Sequence, residues 1–135
     1  MTNRTCTLCE TGQMNLETRT VKASLDGLTQ EVGNVRGWFC DQCGEIEFAD
    51  SDSAARYASA MDNLVIERRR QRGKEVRRIR TRLKLTQKAA AEVFGGGVNA
   101  FSRYERGEVD PPRSVVKFLR VLDRHPELLE EVKRA

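Results

Sequence analysis

The sequence predicts an α+β protein that is mostly α: a small antiparallel β domain carrying one helix, then an all-α domain of five helices. Three observations predict it. Between Met14 and Phe48 the apolar residues are spread among Thr and charged residues without a helical period, whereas after Ser51 they recur at three- and four-residue spacing. All four cysteines lie in the first part of the chain. Charge divides the same way: residues 1–67 hold 5 Lys/Arg against 11 Asp/Glu, and residues 68–135 hold 19 against 9. A chain of 135 residues has room for two small domains. The boundary is set at residues 1–70 and 71–135, with a linker near Arg70 to Gly73 through which a helix could also run.

The β domain comes first in the chain. Leu16, Val21, Leu25, Leu28, Val32, Val35, Trp38 and Phe39 supply its strands, with turn signals at Asp26-Gly27 and Gly33-Asn34. Asp26-Gly27 suits a two-residue hairpin turn, because both residue types tolerate positive φ. Ser51 or Asp52 can cap the helix that follows. Ala54, Tyr57, Ala58, Met61, Leu64 and Val65 form its apolar stripe.

The second domain is helical throughout. Val76, Ile79 and Leu83 give one face of its first helix. Thr86 opens a helix over 87–94, which Gly95-Gly96-Gly97 breaks. A third helix spans 98–106, with Gly107 as its C-cap. Asp110-Pro111-Pro112 forms a loop before a long helix over 113–124. His125-Pro126 interrupts it, and a short last helix carries Leu128, Leu129 and Val132.

Several classes of function are excluded. No run of apolar residues is long enough to span a bilayer. The opening residues, Met1-Thr2-Asn3-Arg4, lack the apolar core of a secretion signal. A cytoplasmic protein with reduced cysteines is expected. There is no nucleophile–base pair, and the Gly95–Gly97 run follows a helix rather than a strand, so it is no P-loop. The expectation is a non-enzyme.

The cysteines form two pairs, Cys6-x-x-Cys9 and Cys40-x-x-Cys43, separated by 30 residues. Each C-x-x-C turn can present two thiolates to one metal, and two facing turns complete a tetrahedral S4 site. Four sulfurs with no open position point to one structural Zn2+ per chain. A domain of roughly 50 residues has too small a core to stand easily alone, and a metal compensates. Iron in the same S4 site is the chemical alternative. A thiol–disulfide oxidoreductase is less suited, because neither pair opens a helix of a βαβ unit.

The second constellation runs from Leu85 to Gly107. Ala91 permits a close helix crossing, Gly95 a tight turn, and Phe94 and Phe101 the core between two helices: a helix-turn-helix. Asn99 and Arg103 are four apart and share a face of the second helix of this pair. Asn matches adenine and Arg matches guanine in the major groove, which makes these the base-reading candidates. Between Arg68 and Lys88 there are 11 basic residues and one acidic residue, Glu75. Arg77, Arg78, Arg82 and Lys88 are the candidates for holding DNA phosphates.

Leu85-Thr86-Gln87 and Ser102-Arg103-Tyr104-Glu105-Arg106-Gly107 resemble the Xre/Cro-type repressor helix-turn-helix. That resemblance implies an internal ion pair between Arg80 and Glu105 and a phosphate-side role for Thr86 and Gln87. Gly96 and Gly97 depart from it, standing where an apolar residue and Ser are usual. The two cysteine pairs, Phe94-Gly-Gly-Gly-Val-Asn-Ala-Phe-Ser-Arg-Tyr-Glu105 and Leu119-Arg-Val-Leu-Asp-Arg-His-Pro-Glu-Leu-Leu129 together resemble the MqsA antitoxins, with their YgiT-type zinc domain. This second resemblance implies an N-terminal zinc domain that binds a cognate toxin, an mRNA-cleaving ribonuclease. It also implies a homodimer that represses its own operon at a palindromic operator in double-stranded DNA. Val115, Val116, Leu119, Leu122, Leu128 and Leu129 are the apolar positions from which a dimer contact would be drawn. A stand-alone Xre-family repressor with a zinc domain and no toxin is the alternative reading.

Overall fold

The structure, a computed structural model, describes residues 4–135; Met1, Thr2 and Asn3, part of the opening segment read above, lie outside the described residues. The chain divides into two compact units, residues 1–65 and 66–135.

The first unit is built on four antiparallel strands in the order β1-β2-β3-β4: β1 Arg4–Thr5, β2 Gln13–Leu25, β3 Leu28–Cys40 and β4 Ile46–Phe48. β2 and β3 pair along their whole length, from Leu25 opposite Leu28 to Met14 opposite Cys40. Asp26-Gly27 is the turn between them, with φ of 49° and 83°. Gly33-Asn34 is not a turn. It lies within β3, where the register shifts: Arg19 faces Val35 and Val21 faces Val32, so two residues oppose Thr20 alone. This is a β-bulge with Asn34 in the left-handed region at φ 53°. Arg56 stabilises it, donating to the carbonyls of Gly33 and Asn34.

Helix α1, Ser51–Arg82, is a single element. Its cap is Asp50, whose Oδ1 accepts from the Ser53 backbone N–H at 2.6 Å, rather than Ser51 or Asp52. This bond holds the Asp50 carboxyl below its ordinary range. The buried line of α1 in this unit is Ser53, Ala60 and Leu64, with Tyr57 and Met61 partly buried and Ala58 exposed. Ala60 and Leu64 pack with Ala23, Val32, Val35 and Phe39 of the sheet. Ser53 is buried but satisfied: its Oγ accepts from the Arg36 backbone N–H at 3.0 Å.

No loop separates Arg70 from Gly73: α1 is continuous through both, and both lie within the second unit. Gly73 is buried in a helix for a packing reason. A Cβ there would lie 2.6 Å from the Tyr104 carbonyl oxygen and 2.8 Å from that of Glu105. The second unit continues with α2 Gln87–Phe94, α3 Ala100–Glu105, α4 Arg113–Arg124, a 3-10 turn Pro126–Leu128 and α5 Leu129–Arg134. Its core joins Val76 and Ile79 of α1, Phe101 and Tyr104 of α3, and Val115, Leu119 and Leu122 of α4. Phe94 and Phe101 meet at 5.9 Å between ring centroids, and Phe101 and Tyr104 at 5.5 Å.

Candidate metal centre and nucleic-acid interface

The sheet brings the two cysteine pairs together. Cys6 and Cys9 lie in the loop between β1 and β2; Cys40 ends β3, and Cys43 follows in the next turn. Since Met14 pairs with Arg4 on one side and Cys40 on the other, the two C-x-x-C turns meet at one end of the hairpin. Each turn closes on itself. The Glu10 N–H donates to the Cys6 carbonyl at 3.0 Å and the Cys6 N–H to the Gly12 carbonyl at 2.9 Å, while the Cys40 N–H donates to the Glu45 carbonyl at 2.9 Å. Both turns exit through a left-handed residue, Glu10 at φ 61° and Gly44 at φ 77°.

The four sulfurs all lie within 4.8 Å of one another. Cys6 and Cys43 are 3.7 Å apart at sulfur, as are Cys9 and Cys40. A tetrahedral centre with bonds of about 2.3 Å to sulfur needs edges of about 3.8 Å. The residues therefore fit one metal ion. Donors aimed at sulfur support thiolates: the Gly12 N–H reaches Cys9 at 3.3 Å, and those of Gln42 and Cys43 reach Cys40 at 3.4 and 3.5 Å. The Thr11 hydroxyl, with the backbone N–H groups of Thr11 and Gly12, pulls the Cys9 thiol down to about 6. For Cys43 the Glu45 backbone pulls down, but desolvation and the neighbouring thiols outweigh it and push it up to about 12. Four thiols packed this closely oppose one another's ionisation, and a divalent cation relieves that opposition.

The second unit presents the α2–turn–α3 pair. Thr86 caps α2, its Oγ1 accepting from the Ala89 N–H at 3.0 Å. Arg80 and Glu105 meet in a closed pair: Nη2 to Oε1 is 2.8 Å and Nε to Oε1 is 3.1 Å, with side chains 15% and 5% exposed. The Gln87 amide donates to Glu105 Oε2 at 3.0 Å, and Arg80 Nη1 to the Leu85 carbonyl at 2.8 Å. This network locks α1, α2 and α3 together.

Asn99 occupies the N-cap position of α3, exposed, with no capping bond from its side chain. Arg103 is exposed one turn on, with only a loose approach of 3.8 Å to Glu108. Ala100, Phe101 and Tyr104 are buried, so Asn99 and Arg103 stand on the outward face. Lys88 and Arg77 are exposed. Arg78 and Arg82 are engaged elsewhere: both reach Asp123 of α4, at 3.1 and 2.9 Å. They lie about 200° round the helix from Arg80, on the side away from α3. Neither this Asp123 pairing nor the Gln87–Glu105 bond is visible in sequence spacing.

Of the apolar set named for a dimer contact, Val115, Val116, Leu119, Leu122 and Leu129 are buried within the single chain, and Leu128 is exposed. The apolar side chains that α4 leaves exposed are Phe118 and Val121. Sequence periodicity marks the inward face of α4 and is silent on these two.

The sequence profile of the family described as the antitoxin component of bacterial toxin-antitoxin systems, MqsA, matches residues 4–133. A curated relative, Antitoxin MqsA of Escherichia coli (strain K12), is 36% identical over 129 residues, covering 95% of this chain and 98% of its own length. The chain belongs to the MqsA antitoxin family. The matched stretch spans both the four cysteines positioned for one metal ion and the α2–turn–α3 pair. No helix among the described residues is long and apolar enough to cross a membrane.

Proposed function

We propose that this chain is the antitoxin and autorepressor of a type II toxin–antitoxin pair, without catalytic activity of its own. The match over residues 4–133 carries this reading. The first unit, rigidified by one structural Zn2+ on Cys6, Cys9, Cys40 and Cys43, binds and occludes a cognate mRNA-cleaving ribonuclease. Its acidic balance suits a basic partner. The second unit binds a palindromic operator as a homodimer in the cytoplasm. Asn99 and Arg103 read base edges while Arg77 and Lys88 hold phosphates, with Thr86 and Gln87 beside them. Arg78 and Arg82 would have to leave Asp123 to join them. Phe118, Val121 and Leu128 supply the exposed apolar surface that dimerisation would cover, in place of the buried members of the expected set.

The test is a tagged pull-down from the native host. Stoichiometric recovery of a small ribonuclease, whose RNA cleavage the purified chain suppresses, supports the antitoxin role. Recovery of promoter DNA with no protein partner argues for a stand-alone regulator.

A further inference from the structure

Val98 is the most exposed large apolar side chain among the described residues, at 73%. Single apolar side chains are ordinary on a protein surface, so exposure alone decides nothing; its surroundings do. Val98 directly precedes Asn99, whose carbonyl accepts from the Arg103 N–H at 3.1 Å, so Asn99 lies one turn from Arg103. Val98 stands in the turn just before the N-cap of α3, and Val98, Asn99 and Arg103 are all exposed while Ala100, Phe101 and Tyr104 are buried.

The glycine turn holds Val98 there. Gly95, Gly96 and Gly97 all have positive φ, at 84°, 98° and 89°. A Cβ on Gly96 would lie 2.9 Å from that of Ala100 and 3.1 Å from the Tyr104 hydroxyl, so the turn is pressed against α3. The Ala100 N–H donates to the Gly97 carbonyl at 3.1 Å. On either side of Gly96 no side chain exists to screen Val98, and a Cβ on Gly95 or Gly97 would meet nothing within 4 Å.

We propose that Val98 is a specificity determinant that reads a thymine. Resting on the reading of α3 as a base-reading helix, it places the valine methyls against the thymine C5-methyl, the apolar feature of the major-groove edge. The valine is suited to this. Branching at Cβ stiffens χ1, so little side-chain entropy is lost on contact. Val98 thus adds an apolar readout beside the hydrogen-bonding readout of Asn99 and Arg103.

The experiment isolates one methyl group. The full-length chain selects its preferred duplex from a random pool, and each thymine of that duplex is then replaced singly by deoxyuridine. At one thymine per half-site, affinity of the wild type falls about fourfold, the worth of one buried methyl. Val98→Ala binds the thymine and deoxyuridine duplexes equally, with an unchanged melting temperature because the side chain is exposed. Val98→Thr, which keeps one methyl, retains part of the discrimination. If the chain selects a sequence but no thymine shows a methyl effect that Val98→Ala removes, the Val98 assignment is overturned and DNA reading stands. If no sequence is selected, the DNA-reading function falls and this inference with it.

Discussion

Gly12 faces the sulfur of Cys40 so closely that a β-carbon at residue 12 would collide with it. The same residue donates its N–H to Cys9 at 3.3 Å, so one glycine touches a ligand from each cysteine pair. Gly12→Ala should displace Cys40 from the metal. Metal content measured by atomic absorption should fall, and the chain should yield its metal to a chelator at far lower concentration than wild type. Retention of full metal content at wild-type chelator resistance would show that the two turns can separate without losing the centre.

The left-handed exits of the two cysteine turns are occupied by unequal residues. Gly44 adopts φ 77° freely, whereas Glu10 is held at φ 61° against its preference. Glu10→Gly should stabilise the first unit by about 1 kcal/mol, and Gly44→Ala should destabilise it by a similar amount. Denaturant titrations of the metal-loaded chain provide the comparison; equal midpoints for all three proteins would remove the conformational argument.

Arg80 and Glu105 form the most buried ion pair of the second unit. Arg80→Ala leaves a carboxylate with 5% exposure facing the Gln87 amide alone. The expected cost is about 3–5 kcal/mol, since loss of one partner strands a buried charge. The double variant Arg80→Met, Glu105→Leu should recover much of that loss. A single variant as stable as wild type in urea would mean that water reaches Glu105 readily.

Asp123 links pH to stability. Hydrogen bonding from Arg78, with its charge and then Arg82, holds the Asp123 carboxyl below its ordinary value of 3.8. Arg120 does the same for Glu75 relative to 4.5. A carboxyl whose pKa is depressed by folding contributes stability above its unfolded value and loses it as pH falls through the folded value. Asp123→Asn should therefore melt below wild type at neutral pH. The difference should close as the pH drops beneath 3.8. A difference that persists undiminished in acid would assign the loss to packing instead of charge.

Arg103 and Arg77 should fail differently in DNA binding. Arg103→Ala should cost about 1–3 kcal/mol on the preferred duplex and relax base choice at one position. Arg77→Ala should weaken all sequences alike and lower the salt slope by about one unit. Fluorescence anisotropy on preferred and scrambled duplexes at several salt concentrations separates the two. An identical loss on both duplexes for Arg103→Ala would reassign it to the backbone.

Much of this was legible from residue chemistry, and the failures share a cause. Asp26-Gly27 signals a turn by residue type and forms one. Gly33-Asn34 offers similar residue types, but only Asn34 turns left-handed, and the pair forms a bulge within a strand that continues to Cys40. Gly73 looked like a linker residue; its glycine is required by the carbonyls of Tyr104 and Glu105, which only the fold brings near. The cysteine spacing announces the convergence of the four sulfurs, while the Gly12 contact beside them lies outside the C-x-x-C pattern. Periodicity on α4 identified residues that pack inward, and could not distinguish a chain's own core from a surface offered to a second copy.

The pairing of β2 with β3 has a consequence for how this chain can change length. The clustering of the four cysteines requires Met14 to stay opposite Cys40, and the inner face of the hairpin requires Ala23 and Val32, with the partly buried Val21, to stay on one side. Residues can therefore be added or lost near Asp26-Gly27 in matched pairs, one per strand, without disturbing either condition. A single added residue would turn the outer part of one strand inside out unless a second bulge absorbed it. Among length variants that keep the centre, the interval between the cysteine pairs should grow or shrink by even steps, and the hairpin tip is the place to insert a reporter peptide.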